Sequence, residues 1–185
     1  MVQQLNKKVL LFVLLLGGFL SILNQTLLNV ALSSFMEVFN VTTTTVQWLS
    51  TGFMLVNGIL IPITAFLMKR FSTRQLFMSS MLLLLSGSII CAIAPSFTFL
   101  LMGRMIQAAG AGIIMPLMMS VVMFIFPPDK RGSAMGLLGL AMIFAPAIAP
   151  TLSGIVIDYL SWRWLFIGMI PLVSIVILLA FKYLV

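Results

Sequence analysis

Long apolar stretches separated by short polar turns dominate this chain. Six such stretches can be read from the sequence, at about 9–32, 46–68, 75–94, 98–126, 132–157 and 164–181. A helix of about 20 residues crosses the hydrocarbon core of a bilayer. Because backbone groups in hydrocarbon must be hydrogen-bonded within their own segment, each stretch predicts a helix. The pattern therefore predicts an all-α integral membrane protein, with residues 1–185 forming one transmembrane domain of six helices.

The charged residues between these stretches predict which side of the membrane each turn faces. Eight of the ten basic residues fall at the two termini or in the turns that follow the second and fourth stretches: Lys7, Lys8, Lys69, Arg70, Arg74, Lys130, Arg131 and Lys182. The other ends carry Glu37, Asp158 and Arg163. Since lysine and arginine are enriched in cytoplasmic loops, both termini are expected in the cytoplasm.

Composition narrows the classes of protein further. Of the 185 residues, 62% are hydrophobic and 7% are charged, whereas a soluble domain has about 45–50% apolar and about 25% charged residues. This excludes a receptor with a globular ectodomain and a nucleic-acid-binding module. The chain has no histidine, one cysteine (Cys91) and three carboxylates. The usual ligands of zinc or haem and the usual nucleophile–base pairs are therefore missing, so we expect no metal, no cofactor and no enzyme.

Arg104 is the most informative single residue, because it lies about two turns inside the fourth stretch. A cation at that depth costs a few kcal/mol by insertion scales, about 2.5–3.5, unless it faces water or polar partners. One interpretation is a functional side chain that faces a cavity, with Gln107 on nearly the same helical face. The alternative is a structural role, either snorkelling to the interface or pairing with the distant Asp158.

The first stretch carries an unusual number of polar side chains, which are Ser21, Asn24, Gln25, Thr26 and Asn29. Four of them share one broad helical face, so this face is not expected to contact lipid. The amides either line an aqueous pathway or hydrogen-bond to neighbouring helices, which typically contributes about 0.6 kcal/mol per bond.

The fifth stretch combines small residues with two prolines one turn apart, Pro146 and Pro150. Small residues let helix backbones approach closely, and each proline removes a helical hydrogen bond and bends the helix. Tight packing alone explains part of this pattern. A bent, closely packed helix also suits an interface that moves during transport.

Taken together, these stretches resemble the major facilitator superfamily, and within it the N-terminal half of the fourteen-span drug:proton antiporters of the lincomycin-resistance type, and five motifs carry the resemblance. Residues 23–32 (LNQTLLNVAL) resemble the first-span signature LDxTxxNVAL, and residues 62–77 resemble the loop motif between the second and third spans. Residues 100–112 are similar to the fourth-span motif with its arginine and glutamine. Residues 145–154 (APAIAPTLSG) are similar to the antiporter motif GPxxGPxxGG, and residues 162–171 to the entry of the sixth span.

The resemblance implies a function and a role for each motif. It implies alternating access between two six-span halves, and efflux of small amphipathic or cationic drugs across the bacterial inner membrane against an inward flow of protons. By position, Arg104, Gln107, Asn24, Gln25 and Asn29 would serve proton coupling and line the cavity. The antiporter motif would comprise Ala145, Pro146, Ala149, Pro150, Ser153 and Gly154. The cytoplasmic gate would comprise Lys69, Arg70 and Arg74.

The chain departs from these motifs at several positions. Asn24 stands where many relatives have aspartate, Lys69 replaces the aspartate of the loop motif, and Ser72 replaces its glycine. Ala145 and Ala149 replace glycines of the antiporter motif. No carboxylate therefore falls inside any predicted span. Because an asparagine does not titrate, a carboxylate that couples transport to protons would have to come from elsewhere.

The predicted span number is half or less of what the resembling transporters need. We expect the chain to be the N-terminal part of a truncated drug exporter. One alternative is a half-size transporter that works as a homodimer or with a separately encoded second half. Another is a membrane protein that does not transport, either a remnant or a scaffold.

Overall fold

The computed structural model describes residues 2–184, and for residues 2–8 it describes the backbone alone. Met1, Val185 and the side chains of Lys7 and Lys8 thus lie outside the described part. That part is helical, with no strand between residues 2 and 184. Its helices are α1 (Val2–Phe39), α2 (Thr43–Val46), α3 (Trp48–Leu67), α4 (Thr73–Ala92), α5 (Phe97–Ile125), α6 (Pro128–Tyr159), α7 (Arg163–Ile167) and α8 (Met169–Tyr183).

These helices form six membrane-length spans. The short α2 and α7 continue into α3 and α8 through Gln47 and Gly168, which both have helical backbone angles. The spans cover Val9–Phe39, Thr43–Leu67, Thr73–Ala92, Phe97–Ile125, Pro128–Tyr159 and Arg163–Tyr183. The expectation of six apolar helices is confirmed. The first span is longer than the sequence suggested, because the polar residues after position 32 remain helical.

Local sequence explains where three of the helices begin or end. Asn40 follows α1 in the left-handed region, with φ of 50°, a conformation that asparagine tolerates at a helix end. Ser72 accepts a hydrogen bond from the Gln75 backbone N–H, and the Gln75 side chain accepts one from the Ser72 N–H, which together form a capping box. The loop-motif glycine is thus replaced by a residue that starts α4. Pro128 occupies the first turn of α6, where its missing N–H costs nothing.

Helix α5 is the most buried span and α6 the least. Helix α5 packs against α4, α3 and α1, whereas α6 packs mainly against α1. Glycines let α4 and α5 approach closely. A Cβ on Gly87 would lie 2.7 Å from the Gly103 carbonyl oxygen, and a Cβ on Gly110 would lie 2.5 Å from the Ser80 carbonyl oxygen. We call these contacts of Gly87, Gly103 and Gly110 the glycine seam.

The glycines of α6 behave differently from those of the seam. A Cβ built on Gly132, Gly136, Gly139 or Gly154 would meet no atom within 4 Å. The close packing expected of the small residues in α6 is therefore made by other members of that set. Ala134, Ala145, Ala149 and Ser153 are the buried ones. The glycines lie on a face that the described residues leave open.

Candidate functional site

A hydrogen-bonded network of four polar side chains lies inside the bundle. The Arg104 side chain is 1% exposed, and its Nη1 donates to Asn24 Oδ1 at 2.8 Å and to Gln107 Oε1 at 2.7 Å. Gln107 Nε2 donates to Ser88 Oγ at 2.9 Å, and Ser88 Oγ donates to the Leu84 carbonyl oxygen at 2.7 Å. The network thus joins α1, α5 and α4 through one guanidinium group.

A fourth span contributes an aromatic ring to this network. Arg104 Cζ lies 4.3 Å from the centroid of the Phe53 ring, and Phe53 on α3 is fully buried. A desolvated cation–π contact of this kind stabilises by about 2 kcal/mol. The guanidinium therefore has one face on an aromatic ring and one edge on amide oxygens. All of these partners are uncharged.

The glycine seam explains why Ser88 can reach Gln107. On α4, Ser88 follows Gly87, whose backbone lies against Gly103 and Gln107 of α5. A larger residue at Gly87 would clash with both, so the bond between Gln107 and Ser88 depends on this close approach. Sequence reasoning missed Ser88 and Phe53 as members of the site. For Ser88, the available signal was a glycine next to a polar residue inside a predicted span. For Phe53 the sequence offered no signal, because it is one of many apolar residues in its span.

The first-span amides are divided between the interior and the rim of the bundle. Asn24 is buried beside Arg104, Gln25 is half-buried, and Asn29 is exposed. Asn29 Oδ1 accepts a hydrogen bond from Ser50 Oγ at 3.1 Å, which links α1 to α3. Gln25, Asn29, Ser50, Phe53, Met54 and Arg104 line a narrow depression between these helices. The predicted polar face of α1 thus runs from the buried arginine outward along one groove.

The structural alternatives for Arg104 find no support in this geometry. Asp158 is exposed near the end of α6, and no ion pair to Arg104 exists among residues 2–184. Snorkelling is excluded by the burial of the guanidinium in the bundle. In the same part of the chain, no three His, Cys, Asp or Glu side chains lie together as metal ligands would. The site around Arg104 therefore provides hydrogen-bonding groups and one positive charge.

The residues of the predicted antiporter motif face two directions. Ala145, Ala149 and Ser153 follow one another at four-residue intervals and are buried against α1, where Ser153 Oγ donates to the Leu27 carbonyl oxygen at 2.8 Å. Pro146 and Pro150 are exposed, and Gly154 is half-buried with open space beside it. Half of the motif therefore holds α6 on α1, and the other half is exposed or half-buried in the described chain.

Of the predicted gate residues, Lys69 and Arg70 lie in the turn between α3 and α4, and Arg74 lies in the first turn of α4. Lys69 is exposed, and Arg70 Cζ lies 4.9 Å from the centroid of the Phe66 ring. Arg74 Nη2 donates to the Phe181 carbonyl oxygen at 3.1 Å. A cavity of about 270 Å³ opens beside Arg74, between this turn and the ends of α1, α5 and α8. Arg74 is thus the one of the three that connects the turn to another span.

Comparison with known proteins places this geometry in a family. Residues 14–185 match the family model of the Major Facilitator Superfamily. The chain is 54% identical over 176 residues to an uncharacterized MFS-type transporter, YhcA, of Bacillus subtilis. This match covers 95% of this chain and 33% of that protein. It is 45% identical to the lincomycin resistance protein LmrB of the same organism, in a match that covers 98% of this chain and 38% of that protein. It is 35% identical to the multidrug export protein EmrB of Haemophilus influenzae, in a match that covers 91% of this chain and 33% of that protein.

Solved structures agree on the fold. A peptide transporter, POT, in complex with alafosfalin superposes with a TM-score of 0.83 at 16% identity, over 93% of this chain and 37% of that one. A bacterial homolog of the human lysosomal transporter Spinster gives a TM-score of 0.75 at 19% identity, over 96% of this chain and 42% of that one. The chain spans about a third of the length of the curated relatives it matches, and corresponds to their N-terminal part.

These relatives are transporters of bacteria, and the six membrane-length helices agree with that class. The chain is a multi-pass protein of the bacterial inner membrane. Taken with the family match over nearly all of its residues, these findings lead to one conclusion: the chain belongs to the Major Facilitator Superfamily of membrane transporters.

Proposed function

We propose that the chain forms the N-terminal six-helix half of a multidrug exporter, which exchanges a small amphipathic drug for protons. In this proposal, residues 1–185 act as one transmembrane domain with both termini in the cytoplasm. The observation that carries it is the buried Arg104, held by Asn24 and Gln107 at the meeting point of three spans. A fixed charge is costly in a span, so its retention there favours a role in moving a polar solute or proton.

The open face of α6 supports a partner half. Pro146, Pro150 and the four glycines of α6 face no other span among the described residues. A face with small residues suits close helix approach in a membrane. We propose that it packs against a second transporter half, with a second copy of this chain as the alternative partner.

Proton coupling requires a group that this network lacks. Asparagine, glutamine and serine do not exchange protons near neutral pH, and a guanidinium keeps its proton. The three carboxylates, Glu37, Asp129 and Asp158, are all exposed and lie in no contact with Arg104. We therefore propose that Arg104 tunes a titrating carboxylate supplied by the rest of the assembled transporter.

Drug efflux is tested in bacteria that lack their own multidrug exporters. Cells that express the complete transporter are loaded with ethidium or with the uncharged dye Nile red, and accumulation is followed by fluorescence. We expect lower accumulation of at least one dye and loss of the difference when a protonophore is added. Unchanged accumulation of both dyes, with membrane expression confirmed by immunoblot, would favour a scaffold or remnant.

Two variants sharpen this test. We expect Arg104→Ala to abolish efflux while membrane insertion stays normal, because the network loses its central donor. Lys130→Ala is the matched control, since Lys130 is an exposed cation in the first turn of α6. Full efflux in Arg104→Ala cells would remove Arg104 from the mechanism.

Orientation is tested separately by labelling with a membrane-impermeant maleimide in a Cys91→Ser background. Tyr159→Cys lies at the end of α6 and is 83% exposed in the parent chain. We expect it to react in intact cells, and Lys130→Cys to react only after permeabilisation. The reverse pattern would place the termini outside.

A further inference from the structure

The cavity beside Arg74 lies at the level where several of the spans begin or end. Helix α3 ends at Leu67, α4 begins at Thr73, α5 ends at Ile125 and α8 ends at Tyr183. The cavity has a volume of about 270 Å³, and its lining comes from these ends, from the turn between α3 and α4 and from the first part of α1. Because apolar spans give way to polar turns there, the cavity lies at the boundary between the hydrocarbon core and the lipid headgroups.

The wall of this cavity is mostly apolar. Of the twelve described residues that line it, nine are apolar, and the other three are Thr73, Arg74 and Ser120. A small soluble anion would contact the polar minority and leave the apolar wall facing water, which is unfavourable. The lining therefore suits a ligand with a polar head and an apolar chain.

The charges around the cavity are positive. Arg74 is half-buried in the lining, Lys69 and Arg70 are exposed in the adjoining turn, and Lys182 lies in the last turn of α8. No carboxylate is among the described lining residues. The one carboxylate at this end of the described bundle, Asp129, is exposed in the first turn of α6. A basic pocket between spans at a membrane surface attracts the headgroup of an anionic lipid.

The Arg74 guanidinium has donors available for such a headgroup. An arginine has five N–H donors. Within the part of the chain whose side chains are described, Arg74 donates once, from Nη2 to the Phe181 carbonyl oxygen at 3.1 Å. The Phe181 ring lies under the guanidinium, with its centroid 5.1 Å from Cζ. Because a planar guanidinium binds two phosphate oxygens at once, Arg74 can hold a phosphate while it keeps its bond to α8.

The size of the cavity narrows the choice of ligand. Pockets that enclose a drug-sized molecule have volumes of about 300–1,000 Å³, so this cavity takes a headgroup and the first part of a chain. The lining continues outward to Phe124, whose side chain is 88% exposed. An acyl chain that leaves the cavity over this ring would pass directly into the bilayer.

We propose that this cavity binds an anionic phospholipid, with its phosphate on Arg74. The hydroxyl groups of Thr73 and Ser120 provide further contacts for the headgroup, and the apolar wall holds the first part of one acyl chain. The bound lipid would tie the turn between α3 and α4 to the ends of α5 and α8. Lipid binding here is independent of drug efflux, so its failure and the failure of the proposed function are separate results.

Binding is measured by native mass spectrometry of the 185-residue chain, released from detergent micelles. The chain is titrated with phosphatidylglycerol and with phosphatidylcholine of identical acyl chains, which differ in net charge. We expect the first phosphatidylglycerol to bind about tenfold more tightly than phosphatidylcholine, because a charge-assisted contact adds to the general attraction of the basic end. Equal binding of the two lipids would overturn the proposal.

Two pairs of variants locate the binding. Arg74→Gln should remove the preference for phosphatidylglycerol, whereas Lys130→Gln should keep it, since Lys130 is an exposed cation at the same end and does not line the cavity. Equal effects of these two changes would mean a diffuse attraction and would refute the site. Ser120→Leu fills part of the cavity without a change of charge and should weaken phosphatidylglycerol binding several-fold. Ser79→Leu is its control, because Ser79 is exposed on α4 outside the cavity. Unchanged binding in Ser120→Leu would also refute the site, and circular dichroism verifies that each variant is folded.

Competition with glycerol 3-phosphate separates a lipid from a soluble phosphate compound. This molecule has the phosphate of the lipid and lacks its acyl chains. We expect it to leave bound phosphatidylglycerol in place at equal concentration, because the apolar wall contributes to lipid binding. Displacement of the lipid by an equal concentration, lost in Arg74→Gln, would show a site for soluble phosphates and would overturn the assignment to a phospholipid.

Discussion

Replacing Gln107 with leucine tests whether the polar network stabilises the bundle. Leucine keeps a similar volume but removes the acceptor for Arg104 Nη1 at 2.7 Å and the donor to Ser88 Oγ at 2.9 Å. A hydrogen bond to a charged group contributes about 1.5–3 kcal/mol and a neutral one about 0.5–1.5 kcal/mol. Bonds between transmembrane helices fall at the lower end of such ranges. We therefore expect Gln107→Leu to lower the free energy of unfolding by about 2 kcal/mol.

The free energy is measured by SDS-driven unfolding of the chain in mixed micelles, followed by circular dichroism. Ser174→Ala is the control, because Ser174 Oγ donates within its own helix, to the Ile170 carbonyl oxygen at 2.7 Å. We expect that change to cost less than about 0.6 kcal/mol, as for an average intramembrane bond. Combining Gln107→Leu with Ser88→Ala should cost less than the sum of the two, since both break one bond. Equal costs for Gln107→Leu and Ser174→Ala would refute the claim that the network stabilises the packing of α4 on α5.

Three further predictions concern helix packing and the turn between α3 and α4. Gly103→Ala should lower the free energy of unfolding by about 1–3 kcal/mol in the same assay, because its Cβ would lie 2.5 Å from Cys91 Sγ. Gly136→Ala should leave the free energy of unfolding unchanged or raise it by up to about 1 kcal/mol, since its Cβ would meet nothing within 4 Å. Equal effects of the two would contradict the glycine seam. Ser153→Ala should cost about 0.6 kcal/mol by loss of the bond to α1, and no change would mean that this bond is replaced by another. Arg74→Gln should speed hydrogen exchange at the end of α8, where Arg74 bonds the Phe181 carbonyl oxygen; unchanged exchange, measured by mass spectrometry, would show that the contact does not hold this end.

The architecture was predictable from the sequence because hydrocarbon leaves the backbone few choices. Six apolar stretches of sufficient length had to be helices, and short turns forced neighbouring spans to run in opposite directions. The ends were less predictable. The sequence placed the end of the first span near residue 32, yet α1 continues to Phe39. Tertiary packing explains the extension, because Phe35 is fully buried and Phe35 and Phe39 both pack against the Trp162 ring, a contact that local hydropathy does not reveal.

The site was predictable in part. Arg104, Gln107 and Asn24 were recognised because polar groups in a span need partners, and the structure brings those three together. Which glycines pack was not predictable. The sequence drew attention to α6, where small residues are most frequent, but tight packing depends on which face a neighbouring helix covers. Ser88 and Phe53 belong to the site through such packing, which depends on the neighbouring helices.

The glycine seam constrains how this bundle can deform. At Gly87, Gly103 and Gly110 the helices α4 and α5 approach so closely that an added Cβ would clash, which leaves little room for the two helices to slide past each other. A shear between them would push carbonyl oxygens of one helix against Cα atoms of the other. We therefore expect the two helices to move as one rigid unit, with Arg104 held in place on α5. Among the described residues, α6 is the least buried span and packs mainly on α1, so we expect a displacement of α6 to meet less resistance than a shear between α4 and α5.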